Sequence, residues 1–316
     1  MRDVLLSRKL TGLLVVGLAS LVMGSVSACG SSVKNSGFGS GDGGGPGPLG
    51  GGDGSAPLLG SDGGPINQGP PGCSQAAMLV YVIDEQGGLH SFDPPSLTFT
   101  TIGSLSCPGA STYNSMAIDR NATAWVNDTG GSIFKVSTSN ASCQPTAYNA
   151  PPGYTQIGMG FSSDSAGGST ETLYVDGIGG SGLAKIDLST MALTPIHNFD
   201  GMFSTFDCEL TGTGSAQLFG FFTTQPANVA QIDKGSAHVI SNAPQPGVAT
   251  GTDWAFSFWG GDFYLYTADT TTNPGDTSNV TRYRPSDGTT TVMLQQVGFR
   301  IVGAGVSTCA PTTTPK

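Results

Sequence analysis

Beyond residue 78, apolar and polar positions alternate with a period of two along most of the chain, the signature of strands whose side chains point to opposite faces in turn. One pattern returns every roughly 40 to 50 residues: an apolar-rich strand, a short turn, an aromatic or β-branched strand, a Gly-rich turn and two amphipathic strands. Its most regular copy places strands at 115–119, 124–128, 132–136 and 145–148. The second covers 159–161, 173–176, 183–188 and 193–197, and the third 207–210, 218–222, 229–233 and 237–240. In the fourth, 254–259 is followed by 263–266, 280–283 and 291–294. Ahead of these, 79–83, 89–92 and 98–102 supply only three strands, and the missing inner strand is found at 301–306.

Four-strand units at a fixed period bury their faces only against their neighbours. The pattern therefore predicts an all-β β-propeller of five four-stranded blades, closed by the C-terminal strand completing the first blade. A sixth, degenerate blade inside a long loop is the alternative count. Closure of this kind removes an open sheet edge. Cys309 follows the last strand and Cys73 precedes the first blade, so the two should meet in a disulfide that staples the ring. Cys107 with Cys143 is the favoured second pair, which leaves Cys208 as a buried thiol on an inner strand.

The N-terminus has a different character. Arg2, Arg8 and Lys9 form a basic start, residues 10–22 an apolar stretch, and small residues lead to Val26-Ser27-Ala28-Cys29, which is a secretory pattern. The cysteine directly after the cut resembles the lipobox of bacterial lipoproteins. That resemblance implies removal of residues 1–28, acylation of Cys29 and anchoring by two or more acyl chains. Gly30 rather than Asp after the cysteine favours the outer membrane under the enteric sorting rule. Residues 29–72 are mostly Gly, Ser, Asp and Pro, too poor in apolar surface to repay ordering. They predict a disordered tether with a reach of about 35 Å. The propeller is expected at 73–309 and a disordered tail at 310–316.

Charge narrows the partners. The chain has 12 Lys plus Arg against 22 Asp plus Glu, a formal net charge of −10. Loss of the leader removes three basic residues and one acid, leaving it more acidic. No basic cluster opposes that field, so nucleic acid is excluded as a partner. Only 11% of residues are charged while 49 are glycine, as suits a turn-rich β protein.

The run Met116-Ala117-Ile118-Asp119, three residues, then Thr123-Ala124-Trp125-Val126-Asn127 resembles the blade motif of NHL-type propellers and, more distantly, of gluconolactonase-like propellers. It covers one blade well and the others loosely. Gluconolactonase-like enzymes hold a divalent metal with carboxylate and amide oxygens at the channel mouth, where inner strands begin. That resemblance makes Asn114, Gln156, Asp207 and Asp253 the candidate ligand or metal set, although the family's leading Glu has no counterpart.

Other chemistry is sparse. His90, His197 and His238 read as surface strand residues. Gly177-Ile178-Gly179-Gly180-Ser181-Gly182 matches a dinucleotide fingerprint, but the following residues read as a strand where that function needs a helix. The loop from Asp269 to Asp276 crowds oxygen ligands as calcium sites do, yet it lacks their alternating spacing and reads as a polar turn. Aromatics from Trp254 to Tyr266 alternate over two adjacent strands and read as interblade packing rather than a carbohydrate platform. No cofactor is predicted, with Ca²⁺ as the alternative.

The sequence thus points to a monomeric, lipid-anchored envelope protein whose propeller binds a protein, glycan or peptidoglycan partner without transforming it. A gluconolactonase-like hydrolase and a structural spacer are the alternatives. A Cys29→Ser variant should move from the membrane to the soluble fraction on cell fractionation; continued dependence on detergent would rule out the lipid anchor.

Overall fold

The computed structural model describes residues 72–314 apart from Thr272. The leader, Cys29 and the tether up to residue 71 lie outside the described residues.

Five four-stranded antiparallel sheets make up the structure. Blade 1 holds β1 (Val80–Asp84), β2 (Gly88–Asp93) and β3 (Thr98–Ser104), and blade 2 holds β4 (Tyr113–Ile118), β5 (Thr123–Asp128), β6 (Ile133–Ser137) and β7 (Cys143–Pro145). Blade 3 comprises β8 (Ile157–Ser163), β9 (Glu171–Gly177), β10 (Gly182–Ile186) and β11 (Leu193–His197). Blade 4 comprises β12 (Cys208–Gly212), β13 (Leu218–Phe222), β14 (Ala227–Ile232) and β15 (Val239–Gln245). Blade 5 comprises β16 (Asp253–Trp259), β17 (Asp262–Ala268), β18 (Asn279–Arg284) and β19 (Thr289–Leu294). The last strand, β20 (Ile301–Val306), pairs antiparallel with β1 and becomes the inner strand of blade 1. The fold is the expected propeller, with five blades and the expected closure.

Period-two alternation explains why the blades form a ring. On β1, Val80 and Val82 pack toward blade 5 while Tyr81 and Ile83 pack toward blade 2. On β5, Ala124 and Val126 face blade 1 and Trp125 faces blade 3. Each blade therefore sends alternate residues into two neighbouring cores, and five such cores fill the five seams. A buried Leu, Ile, Val or Phe contributes about 1.5–3 kcal/mol, so no blade would hold its shape without both neighbours.

Near the axis the inner strands approach backbone to backbone. A Cβ on Gly158 of β8 would lie 1.9 Å from the Cys208 carbonyl oxygen of β12, and one on Gly212 would lie 2.2 Å from that of Phe161. Glycine is required at both positions because no side chain fits.

The turns from third to fourth strands share one conformation. Leu97, Ala141, Met191 and Ala237 have φ of 57–60°, and Gly288 has 71°. In four of them this residue's N–H donates to the carbonyl four positions back, as Met191 does to Asp187 at 2.7 Å and Ala237 to Asp233 at 2.9 Å. A left-handed backbone costs a non-glycine residue about 1–2 kcal/mol. Burial of the Ala141, Met191 and Ala237 side chains in the seams offsets it.

Most strands differ from expectation by a residue or two at their ends, and three boundaries differ for a clear physical reason. The strand expected at 145–148 is instead Cys143–Pro145, because Pro145 brings no N–H to extend the pairing. The strand expected at 237–240 starts later and runs Val239–Gln245, since Ala237 is taken by the turn. The tail expected to be disordered from residue 310 is held as far as Thr314: Ala310 is buried, Gly260 N–H donates to the Pro311 carbonyl at 2.8 Å, and the Thr314 hydroxyl donates to the Gly260 carbonyl at 3.0 Å.

Cys73 and Cys309 form a disulfide across 236 residues of sequence, and Cys107 and Cys143 form the second. Cys208 is the free, buried thiol among the described cysteines. The first bond pins the segment leading into β1 to the residues just after β20. Replacing Cys73 or Cys309 by Ser should therefore cost about 2–5 kcal/mol in thermal or denaturant unfolding; melts identical to wild type would show that the strand pairing alone closes the ring.

Candidate functional site

The four residues expected at the channel mouth do lie where inner strands begin, and Asn114, Asp207 and Asp253 are engaged in local hydrogen bonds. Asn114 Nδ2 donates to Asn127 Oδ1 at 3.1 Å and to the Ile157 carbonyl at 3.2 Å, tying blade 2 to blade 3. Asp207 Oδ1 accepts the Gly179 N–H at 2.7 Å and fixes the Gly177–Gly182 turn, after which β10 follows as a strand. Asp253 accepts the Thr252 hydroxyl at 2.9 Å, and Gln156 is half-buried just ahead of β8. Among the described residues, no group of three or more His, Cys, Asp or Glu side chains converges as metal ligands do. In the 269–276 loop, Asp269 accepts the Thr271 N–H and hydroxyl, and Asn273 donates to Asp276.

Deeper in, acids are buried. Glu209 of β12 accepts the Ser115 hydroxyl of β4 at 2.7 Å, and both side chains are buried, so the carboxyl bridges blades 4 and 2. Burial pushes its pKa well up, and the Asp176 charge adds to that, while the Ser115 bond opposes it. Burial likewise raises Asp176 to about 8 despite the Cys208 N–H donated to it at 2.7 Å. Burial also raises Glu171 to about 7, although the Thr308 hydroxyl and the Arg120 N–H donate to it. The Cys208 thiol is pushed up by burial and by these neighbouring acids, which makes it a packing residue rather than a nucleophile.

His90 departs from the surface role expected of it. It is buried on β2, with Nε2 3.0 Å from Asp84 Oδ2, Nδ1 3.1 Å from the Thr101 hydroxyl, and its ring stacked 4.3 Å from Phe299. Asp84 Oδ1 accepts the N–H groups of Gln86 and Gly88, so the imidazole locks a turn carboxylate in place. The other two histidines are exposed, His197 on β11 and His238 just before β15.

A groove of ≈ 570 Å³ opens between blades 4 and 5. This seam is the least sealed of the five: its core holds seven buried apolar side chains, against eleven to fourteen in each of the others. Phe256, Phe258 and Phe263 pack there, while Trp259, Tyr264 and Tyr266 pack between blades 5 and 1, as the alternation along β16 and β17 requires. Phe263 anchors the seam. It stacks on Phe256 at 5.3 Å and on Tyr283 at 6.2 Å, and Phe219 meets it edge-on at 4.8 Å. Phe219 and Tyr283 remain half-buried and wall the groove, with Gln217 and Gln231 beside them. None of its lining residues carries a charge.

The buried acids set a pH dependence. Glu171, Asp176 and Glu209 hold protons in the folded state that the unfolded chain releases near pH 4, so stability falls as pH rises from about 4 toward 8. Asp187, Asp233 and Asp287 are shifted down, chiefly by neighbouring hydroxyl groups, and their contribution disappears as pH falls below about 4. Melting temperature should peak near about pH 5 and decline toward pH 8, and Glu209→Gln should flatten that decline. A melting temperature that rises from pH 5 to 8 would contradict the protonated assignments.

No protein-family model matches the chain, and no curated protein matches it. Solved structures are similar in fold. Hydrazine synthase from Kuenenia stuttgartiensis is 14% identical, with a TM-score of 0.40, over 74% of this chain and 69% of that one. A protein of unknown function from Bacteroides thetaiotaomicron is 12% identical, with a TM-score of 0.45, over 71% of this chain and 57% of that one. The Dos1 propeller is 14% identical, with a TM-score of 0.38, over 66% of this chain and 53% of that one. The chain thus spans less than two thirds of the latter two, and these likenesses concern the propeller fold alone.

Proposed function

We propose that this protein is an exported binding module, anchored to the bacterial envelope by lipid on Cys29, that engages its partner in the groove between blades 4 and 5. The observation that carries the reading is an uncharged groove walled by half-buried aromatic rings on a chain of net charge −10. Phe219 and Tyr283 are partly open to solvent on an uncharged surface, which offers their rings for contact. The two disulfides suit an oxidising compartment outside the cytoplasm. A rigid ring holding such a groove is pre-organised, which lowers the entropy cost of binding.

The full chain carrying Cys29→Ser should co-sediment with isolated envelope fractions of the producing bacterium, and Tyr283→Ala in the same background should reduce retention several-fold. Equal retention of both, or retention of neither, would refute a groove-dependent binding role.

A further inference from the structure

We propose that the groove between blades 4 and 5 takes a neutral oligosaccharide; this rests on the binding-module reading and names its ligand class. The argument starts from a position repeated in all five blades. Each second strand carries an aromatic residue facing the next seam: Tyr81, Trp125, Tyr174, Phe219 and Tyr264. In three blades its partner across the third strand is basic, Lys135 opposite Trp125, Lys185 opposite Tyr174 and Arg282 opposite Tyr264. The Lys135 ammonium lies 4.7 Å over the Trp125 ring, and Lys234 lies 5.9 Å from that of Tyr174. In blade 1 the partner is Ser91, and Tyr81 is buried with its hydroxyl donating to the Ala76 carbonyl.

Blade 4 breaks the pattern. Gln231 stands opposite Phe219, which is the one ring of the five that is not buried. Where blade 2 sets a cation over its ring, blade 4 sets a neutral amide, both donor and acceptor, beside it. Gln217 supplies a second, exposed amide at the rim, with its backbone already bonded to Thr213 and Ser162. Across the groove Tyr283 is held flat on Phe263, 13° from parallel.

This combination selects its ligand. Anions find no cation and face a protein of net negative charge, while cations find no carboxylate in the lining. A wholly apolar ligand would cover the half-buried Gln231 amide and leave it unpaired. A pyranose presents an apolar C–H face to an aromatic ring and hydroxyls at its edge to amides, which matches both elements. The groove volume falls within the roughly 300–1,000 Å³ typical of small-ligand sites and gives room for a short oligosaccharide.

The test is saturation-transfer NMR on the full chain carrying Cys29→Ser with malto-, cello-, laminari- and N-acetylchito-hexasaccharides at about 5 mM each, a range that detects millimolar affinity. Transfer to the ring protons of at least one probe is expected, insensitive to added salt. Tyr283→Ala should weaken binding about tenfold. Gln231→Lys, which copies the arrangement of blade 2 and should fold, ought to cap Phe219 and weaken binding at least as much with an unchanged melting temperature. No transfer from any of the four, or transfer unchanged in Gln231→Lys, would overturn the proposal. If the neutral glycans fail while Tyr283-dependent co-sedimentation persists, the ligand class is wrong and the binding role stands; failure of both removes the binding role as well.

Discussion

Everything in this molecule depends on one constraint: a blade has two apolar faces, and only a closed ring covers both. The pairing of β20 with β1 meets that constraint by joining the two ends of the sequence in a single sheet. Without it, blade 1 would lose its inner strand, and the seams it shares with blades 2 and 5 would lose Val302, Ile301, Ala304 and Val306. The Cys73–Cys309 bond reinforces the same junction covalently. Burial of Cys309, with its N–H donated to Ser307 Oγ at 2.9 Å and the Ser307 hydroxyl donating to the Ala77 carbonyl at 2.6 Å, makes the closure a packed and hydrogen-bonded unit.

Closure also governs what the centre of the ring can do. The Ser115–Glu209 bond joins the inner strands of blades 2 and 4, which are not neighbours, so side chains occupy the centre of the ring at that depth. Glu209 is buried there against Ser115, and burial raises its pKa, which disfavours its charged form and suits a link between blades. Binding capacity moves outward, to the seam where packing is thinnest. There the second-strand aromatic, covered in the other four blades, stays half-buried beside a neutral amide, Gln231. The same ring stability that forbids a wide channel makes a shallow, rigid interblade groove tolerable.

Much of this was legible in the sequence because period-two alternation and repeat length are local signals. All twenty strands lie at or beside their expected positions, and Ile301–Val306 was recognisable as the strand that blade 1 lacked. The cysteine pairs followed once the blades were placed. What escaped detection depended on cross-strand neighbours. Burial of His90 comes from Asp84, Thr101 and Phe299, which no spacing rule brings together. The five repeated left-handed turns carry Leu, Ala, Met, Ala and Gly, so no residue type announces them. The aromatics of β16 and β17 pack between blades, as their alternation predicts, but the rings that wall the groove, Phe219 and Tyr283, lie on β13 and β18. Aligning the third strands sets Lys135, Lys185 and Arg282 against Ser91 and Gln231, which marks two blades and needs the burial of Tyr81 to single out blade 4.

The central claim is that an unsealed seam, rather than the channel mouth, is where this propeller meets its ligand. A crystal structure of the chain with a bound neutral hexasaccharide tests it most directly. The account predicts sugar rings stacked against Phe219 and Tyr283, with hydroxyls bonded to Gln217 and Gln231. Sugar bound instead at the mouth beside Asn114, Gln156, Asp207 and Asp253, with the seam empty, would contradict it.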